Sequence, residues 1–346
     1  MKKILSIVLI LTLALPLWGC TTNNSDNDNN LKVSKNEFML DTMITITLYG
    51  TEDDSSIDEI FKVISELEKK LSIHEEDSEL DFIRNNAGIG PVEVSEDTLA
   101  VFEKSIEYST LSGGLFDITS APLISLWAIG TDEQHIPSAD EIKSALELID
   151  YGKIVINHEN STIFIKDRDM YANLGAIAKG YIADQAAKKA RELEVDSAIL
   201  NLGGNVLLIG SKPDGNAFKV GIQDPDVTRG GYMGIIEGSN LSIVTSGDYE
   251  RYFIEDGVKY HHILNPHTGY PAENNIKSVS IITNNSFDGD ALSTSVLLMG
   301  LEKGLEFIEK TKNTEAIFIT KDNEIILSKG IGDSFQLTSE YYTYKN

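Results

Sequence analysis

Extended and helical patterns come in mixed blocks along this chain, and that order constrains the fold more than any other feature. Residues from Glu37 to Tyr49 alternate apolar and polar in strand fashion and stop at Gly50. The period then changes: Ile57, Ile60, Phe61, Ile64, Leu67 and Leu71 are spaced for one buried helix face. Ser95 is placed to cap a second helix running through Leu99, Phe102 and Ile106 to a Gly113-Gly114 stop. Ser138 with Glu141 forms a capping box ahead of Ile142, Leu146 and Ile149. Lys153 to Lys166 reads as a hairpin turning between His158 and Ser161, and a helix is expected from Ile177 to Leu193. Short strands continue to about Leu264, with hairpin spacing around Asp256-Gly257, and a further strand covers Lys277 to Thr283. A helical pair between Asp288 and Lys310 splits at Gly300, and a last hairpin turns at Lys321 to Asn323. Such blocks predict an α+β fold with mixed, largely antiparallel sheets and packed helices, not a doubly wound parallel sheet. No internal repeat is visible and no linker divides residues 31–346, which read as one body of one or two lobes.

The chain carries 54 acidic against 29 basic residues, a net charge of −25, yet 41% of it is hydrophobic, enough to bury a core. Nucleic acid is excluded as a partner, because phosphate-backbone binding needs clustered Lys and Arg and no such block is present. Its one cysteine excludes an internal disulfide and every multi-thiolate metal site. That cysteine closes a leader: Lys2 and Lys3 precede an apolar run from Ile4 to Trp18, and Leu17-Trp18-Gly19-Cys20 ends it. The run is shorter than the ~20 residues of a spanning helix and reads as a signal-peptide core. Its end resembles a bacterial lipobox, which makes residues 1–19 a lipoprotein signal and Cys20 the lipidated first residue. An ordinary secretory signal with an incidental cysteine is the alternative. Thr21 to Asn30 has no apolar residue and reads as a disordered tether over residues 20–30. Anionic headgroups repel so acidic a protein, so the lipid would hold it, extracytoplasmic, at the bacterial cell membrane.

Five segments place Gly, Asp, Thr and His where a purely structural chain would place apolar residues. They are Phe116-Asp117-Ile118-Thr119; Asn173-Leu174-Gly175-Ala176-Ile177-Ala178-Lys179-Gly180-Tyr181, leading to Asp184; Asn201-Leu202-Gly203-Gly204-Asn205; Thr245 to Tyr252 with His261-His262-Ile263-Leu264-Asn265-Pro266; and Asp290-Ala291-Leu292-Ser293-Thr294. Singly, each has a bland reading. Gly203-Gly204 suits a bend as well as a phosphate cradle. Lys179 at a helix start, where free N–H groups would welcome a pyrophosphate, is equally a solvated lysine. Asp290 and Thr294 lie four apart and face one way on a helix, as ligands for a hard cation or as a charge and a buried hydroxyl. His262 is a packed strand histidine or a base. Together the segments outweigh these readings.

In this order, and above all in TSGDYERYF followed by HHILNPHTGYP, the segments resemble the ApbE-type flavin transferases (FAD:protein FMN transferases) from about Phe38 to Thr320. The resemblance implies a T-fold-like enzyme that binds FAD with Mg²⁺ and attaches FMN through a phosphoester to a Thr or Ser of an exported or membrane-bound flavoprotein, releasing AMP. It places Asp290, Thr294 and the Ala176 carbonyl on the metal. Leu40, Phe116, Asp117, Thr119, Asn173, Lys179 and Ile263 fall at flavin-nucleotide positions. His262 matches the histidine of transfer, with an unperturbed pKa near the working pH, and Asp248 is expected to orient it or to replace it as base. Asn173 stands where the family usually has Asp, and Leu40-Asp41-Thr42 replaces its early Met-Gly-Thr.

Three rival readings share these residues. An FAD pyrophosphatase would use water in place of the protein hydroxyl; by the resemblance His74 aligns where family members vary between these activities, but it reads first as a solvated loop histidine. A lipoprotein that only binds flavin or another solute needs neither metal nor base, and a redox flavoenzyme would retain its FAD. For the anchor, Cys20→Ala is expected to move the protein out of the membrane fraction, while the chain from about Leu31 stays active. Loss of activity in that shortened chain would show that the cysteine does chemistry.

Overall fold

The computed structural model describes residues 31–227 and 230–345; the leader, Cys20 and the polar tether lie outside them. The order is β1 (Lys32–Met39), β2 (Thr42–Tyr49), α1 (Ser55–Leu71), α2 (Glu79–Asn85), β3 (Val92–Glu93), α3 (Glu96–Leu111), α4 (Ala121–Trp127), α5 (Ala139–Leu146), β4 (Ile154–Asn157) and β5 (Thr162–Ile165). Then come α6 (Ala178–Glu192), β6 (Ala198–Leu202), β7 (Asn205–Ile209), β8 (Phe218–Gln223), β9 (Tyr232–Gly238), β10 (Ser242–Gly247), β11 (Tyr252–Glu255) and β12 (Val258–His261). The chain ends with β13 (Ile276–Thr283), α7 (Ser286–Met299), α8 (Leu301–Lys310), β14 (Thr314–Thr320), β15 (Glu324–Leu327), β16 (Phe335–Leu337) and β17 (Thr343–Tyr344). The fold is α+β, as the mixed blocks predict.

Nine strands form the main sheet, in the order β1-β2-β6-β7-β10-β13-β14-β15-β17, antiparallel except for β15 and β17. Period-two alternation sorts its side chains between two cores. Ile44, Ile46, Leu200, Val279, Ile281, Ala316 and Phe318 pack under the helices, whereas Leu208, Ile243, Ile282, Ile317 and Ile319 pack with Phe218, Met233, Ile236 and Phe335 of the small β16-β9-β8 sheet. The central strands are therefore apolar on both faces. Helices α1, α6, α7 and α8 lie in contact in that order. Buried alanines on α6 (Ala183, Ala186, Ala187, Ala190) let its neighbours approach closely. A third cluster joins α4 and α5 to the β11–β12 hairpin, where the indole of the fully buried Trp127 donates to the Gly269 carbonyl at 2.8 Å. No helix among the described residues is long and apolar enough to cross a membrane.

The capping box at Ser138–Glu141 and the hairpin between β4 and β5 form where the patterns place them. Two details differ. The stretch from Glu37 to Tyr49 is two strands, because the chain reverses at Leu40-Asp41, both with φ near +55°. A two-residue turn of that kind ordinarily carries Asn-Gly, and its absence hid the reversal. The turn is held instead by the Leu40 N–H, which donates to Glu68 Oε1 at 2.6 Å. Ser95 precedes α3 without capping it through its hydroxyl, which donates to Glu79 at 2.9 Å.

Left-handed backbone costs an ordinary L-residue about 1–2 kcal/mol. Replacing Leu40-Asp41 by Asn-Gly is therefore expected to stabilise the fold by about 1 kcal/mol, read as a higher Tm in thermal unfolding. An unchanged or lower Tm would show that the turn is not strained.

Candidate active site

A cleft of about 820 Å³ opens between the helical layer, the sheet and the α4–α5 region, within the ~300–1,000 Å³ usual for ligand sites. All five segments reach it. The Leu40-Asp41 and Gly203-Gly204 turns, the end of α1 with Glu68, and the strand end Thr245–Gly247 form its walls, with Phe116, Asp117, Asn173, Ala176, Lys179, Arg251, His262, Ile263, Asp290 and Thr294. Gly203-Gly204 is the turn joining β6 to β7, and a Cβ on Gly203 would meet Thr42 at 2.4 Å. The bend and the cleft wall are thus the same feature.

The acidic end of the site is built where α6 crosses α7. A Cβ on Gly180 would lie 2.3 Å from the Ser286 carbonyl oxygen, so only glycine permits the crossing. At that point the Gly180 N–H donates to Asp290 Oδ2 at 2.8 Å. One turn along α6, the Asp184 carboxylate accepts from the Ser286 and Phe287 N–H groups at 3.1 and 2.9 Å, capping the start of α7. Burial pushes the Asp290 carboxyl above the usual carboxylate range, against the opposing charge of Lys179 and the Gly180 N–H. Asp290, the half-buried Thr294 one turn later and Ala176 line the same cleft. Among the described residues no three His, Cys, Asp or Glu side chains cluster as a metal cage. The donors there are one buried carboxylate with neutral oxygens, a set whose chemistry fits a hard cation such as Mg²⁺.

Lys179 and Arg251 are the only Lys or Arg among the described residues of the cleft. Lys179 Nζ donates to the Gly175 carbonyl at 3.0 Å. At the start of α6 the Ala178 N–H donates to Leu174, the Gly180 N–H to Asp290 and the Tyr181 N–H to Ile177, which leaves the Ala176 and Lys179 N–H groups without a partner among the described residues. Asn173 keeps the acceptor that Asp would offer and spends it locally, on the Gly175 N–H at 2.8 Å.

His262 is half-buried. Its Nδ1 lies 3.1 Å from the Arg251 carbonyl oxygen, which can only accept, so Nδ1 carries the proton and Nε2 is left with a lone pair. Desolvation pushes the imidazole down to about 4, and the positive charge of Arg251 adds to it. The expectation of a titration near working pH is corrected accordingly: the ring is a neutral acceptor throughout that range.

Two further assignments change. Asp248 does not reach His262; it is buried, accepts from Lys259 Nζ at 2.8 Å and lines a separate cavity. Thr119 does not line the cleft. Its fully buried hydroxyl donates to Asp117 Oδ1 at 2.7 Å and accepts from the Asp150 N–H. Asp117 in turn also accepts from the Thr119 and Tyr151 N–H groups, so it braces the wall, and burial pushes its carboxyl up. Sequence reading missed Glu68, an ordinary polar position on an amphipathic helix, and gave no role to Arg251, which stood inside a recognised segment.

Two solved structures share the fold: the ApbE protein of Thermotoga maritima (TM-score 0.80, 29% identity, covering 86% of this chain and 97% of that one) and the flavin transferase ApbE from Vibrio cholerae (TM-score 0.78, 27% identity, 87% and 98%). Residues 40–318 match the ApbE family, and the chain belongs to it. Among its relatives are the FAD:protein FMN transferases of Klebsiella pneumoniae (33% identity over 300 residues, 87% of this chain and 93% of that protein) and Treponema pallidum (33% over 317 residues, 87% and 88%).

The raised carboxyl of Asp290 carries a signed prediction. An acid that holds its proton more tightly folded than unfolded loses stability as pH rises through the window above the ordinary value near 4. In metal-free protein at pH 7–8, Asp290→Asn is expected to raise Tm, and the gain should shrink in acid. A lower Tm for the variant at both pH values would contradict the burial penalty.

Proposed function

We propose that this ApbE-family protein is a Mg²⁺-dependent FAD:protein FMN transferase acting on a Thr or Ser hydroxyl of an extracytoplasmic protein. The observation that carries the reading is the fixed tautomer of His262, whose free Nε2 shares a cleft with Asp290, Thr294 and Lys179. The names of the relatives agree with it. In the reaction the acceptor oxygen attacks the phosphorus that FMN retains, the anhydride P–O bond breaks, and AMP leaves with its electron pair. His262 Nε2 takes the hydroxyl proton, and the Arg251 carbonyl holds the ring in place through Nδ1–H as it becomes charged. Lys179 and Arg251 offset charge on the pyrophosphate. Asp290, Thr294 and the Ala176 carbonyl would hold Mg²⁺, which supplies further neutralisation of the phosphate oxygens when bound. Leu40, Phe116 and Ile263 offer apolar wall to the flavin nucleotide. The place of action proposed is the outer face of the cell membrane, through a lipid on Cys20; its support is the apolar leader ending in Gly19-Cys20.

Four measurements test this. Intact mass of an acceptor domain after incubation with FAD and Mg²⁺ should show added FMN, with AMP in solution; FMN and AMP without labelled acceptor would indicate the pyrophosphatase. His262→Ala should bind FAD normally yet transfer roughly 10²–10⁴-fold more slowly. The wild-type rate should be flat from pH 6 to 8, because the imidazole is already neutral there, and should fall towards pH 4. Mg²⁺ is expected to raise the Tm of the wild type and not of Asp290→Asn. An equal response in both proteins would remove Asp290 from the ion.

A further inference from the structure

Beside the flavin cleft lies a second cavity of about 560 Å³ that shares none of its lining residues. One wall is the strand β12. With β11 it forms an isolated two-stranded sheet in which Tyr252 faces His261 and Glu255 faces Val258, and the His262 N–H donates to the Arg251 carbonyl. Hydrogen-bonded pairs alternate along an antiparallel ladder. The backbone groups of 258, 260 and 262 therefore point at β11, and those of Lys259 and His261 point away from it, on the side where no strand among the described residues pairs. Two residues further on, the same edge is closed: Ala272 N–H donates to the Ile263 carbonyl at 3.0 Å.

The facing wall comprises Ala272 to Asn275 and Lys321. Lys259 is committed to Asp248, whereas Lys321 has no ion pair among the described residues. His261 is buried, and its Nε2 lies 3.2 Å from the Ala272 carbonyl oxygen, to which it must donate; its Nδ1 is then an acceptor without a partner. The cavity thus offers an open strand edge and a free ammonium.

We propose that this cavity is the recognition groove for the polypeptide acceptor: an extended segment of it adds to β12 as a third strand, bonded to the backbone of Lys259 and His261, with an acidic side chain against Lys321. The inference rests on the transfer reaction proposed above. A cleft filled by a dinucleotide needs a second surface for its second substrate, and β12 runs directly into His262. A chain fixed on that edge is held within a few residues of the base, at about 3.3 Å per residue. Strand addition takes its affinity from main-chain bonds and so accepts varied side chains. Lys321 locally offsets the repulsion that so acidic a protein would exert on an acidic segment.

The test uses the purified protein, FAD, Mg²⁺ and, as probe, the FMN-accepting domain of an exported flavoprotein. Lys321→Glu reverses the free charge, and Lys259→Pro removes the outward N–H, a change that an edge strand tolerates. Lys259→Ala keeps that N–H and controls for the lost pair with Asp248. Lys321→Glu and Lys259→Pro should each raise KM for the acceptor domain at least 10-fold, with kcat, Tm and FAD affinity by flavin-fluorescence quenching near wild type. Lys259→Ala should raise it less than Lys259→Pro. Unchanged KM in Lys321→Glu and Lys259→Pro, with a wild type that transfers FMN, would overturn the groove alone. A wild type that transfers none would overturn the reaction and the groove with it.

Discussion

One hydrogen bond organises the site: the Gly180 N–H to the buried Asp290 carboxylate, made where α6 and α7 cross too closely for any side chain at 180. Asp184 fixes the same crossing from the next turn by capping α7. The coupling extends to the sheet, since Ser293 on α7 bonds the Asp290 carbonyl and the Ser246 hydroxyl of β10 at 2.9 and 2.8 Å. The chain leaving β10 then supplies Arg251, whose carbonyl sets the His262 ring. Asp290, Thr294 and His262 therefore share one frame, and small residues (Gly180, Ser246, Ser293, the α6 alanines) are what let its parts meet.

Within that frame, charge is handled locally. In a protein with net charge −25, Lys179 and Arg251 are the Lys and Arg of the described cleft. Such sparse positive charge agrees with the cation proposed at Asp290. Desolvation acts oppositely on the two key groups. It keeps His262 neutral and able to accept a proton, while it penalises ionised Asp290 until a positive charge is near.

Much of this was legible before any coordinates. Capping boxes, helix periodicity and hairpin spacing are local, and they placed α1, α3, α5, α6 and the α7–α8 pair correctly in kind. The reversal at Leu40-Asp41 escaped, because Glu68, 28 residues away, holds a turn that lacks its usual Asn-Gly. Asp248 and Thr119 were misassigned for a related reason. Each stands in a segment that reaches the cleft, but its side chain is spent on Lys259 or on Asp117 and Asp150.

By itself the sequence determined the α+β class, the segments that meet at the cleft and the residue types available there, because these depend on short-range periodicity and side-chain chemistry. Only the tertiary structure decided which face of each segment does the work. Alternation along β12 sends His261 and His262 to different cavities, the Arg251 carbonyl selects the tautomer of His262, and burial shifts it and Asp290 in opposite senses. Those outcomes depend on desolvation and on contacts between residues far apart in the chain, which no local pattern encodes.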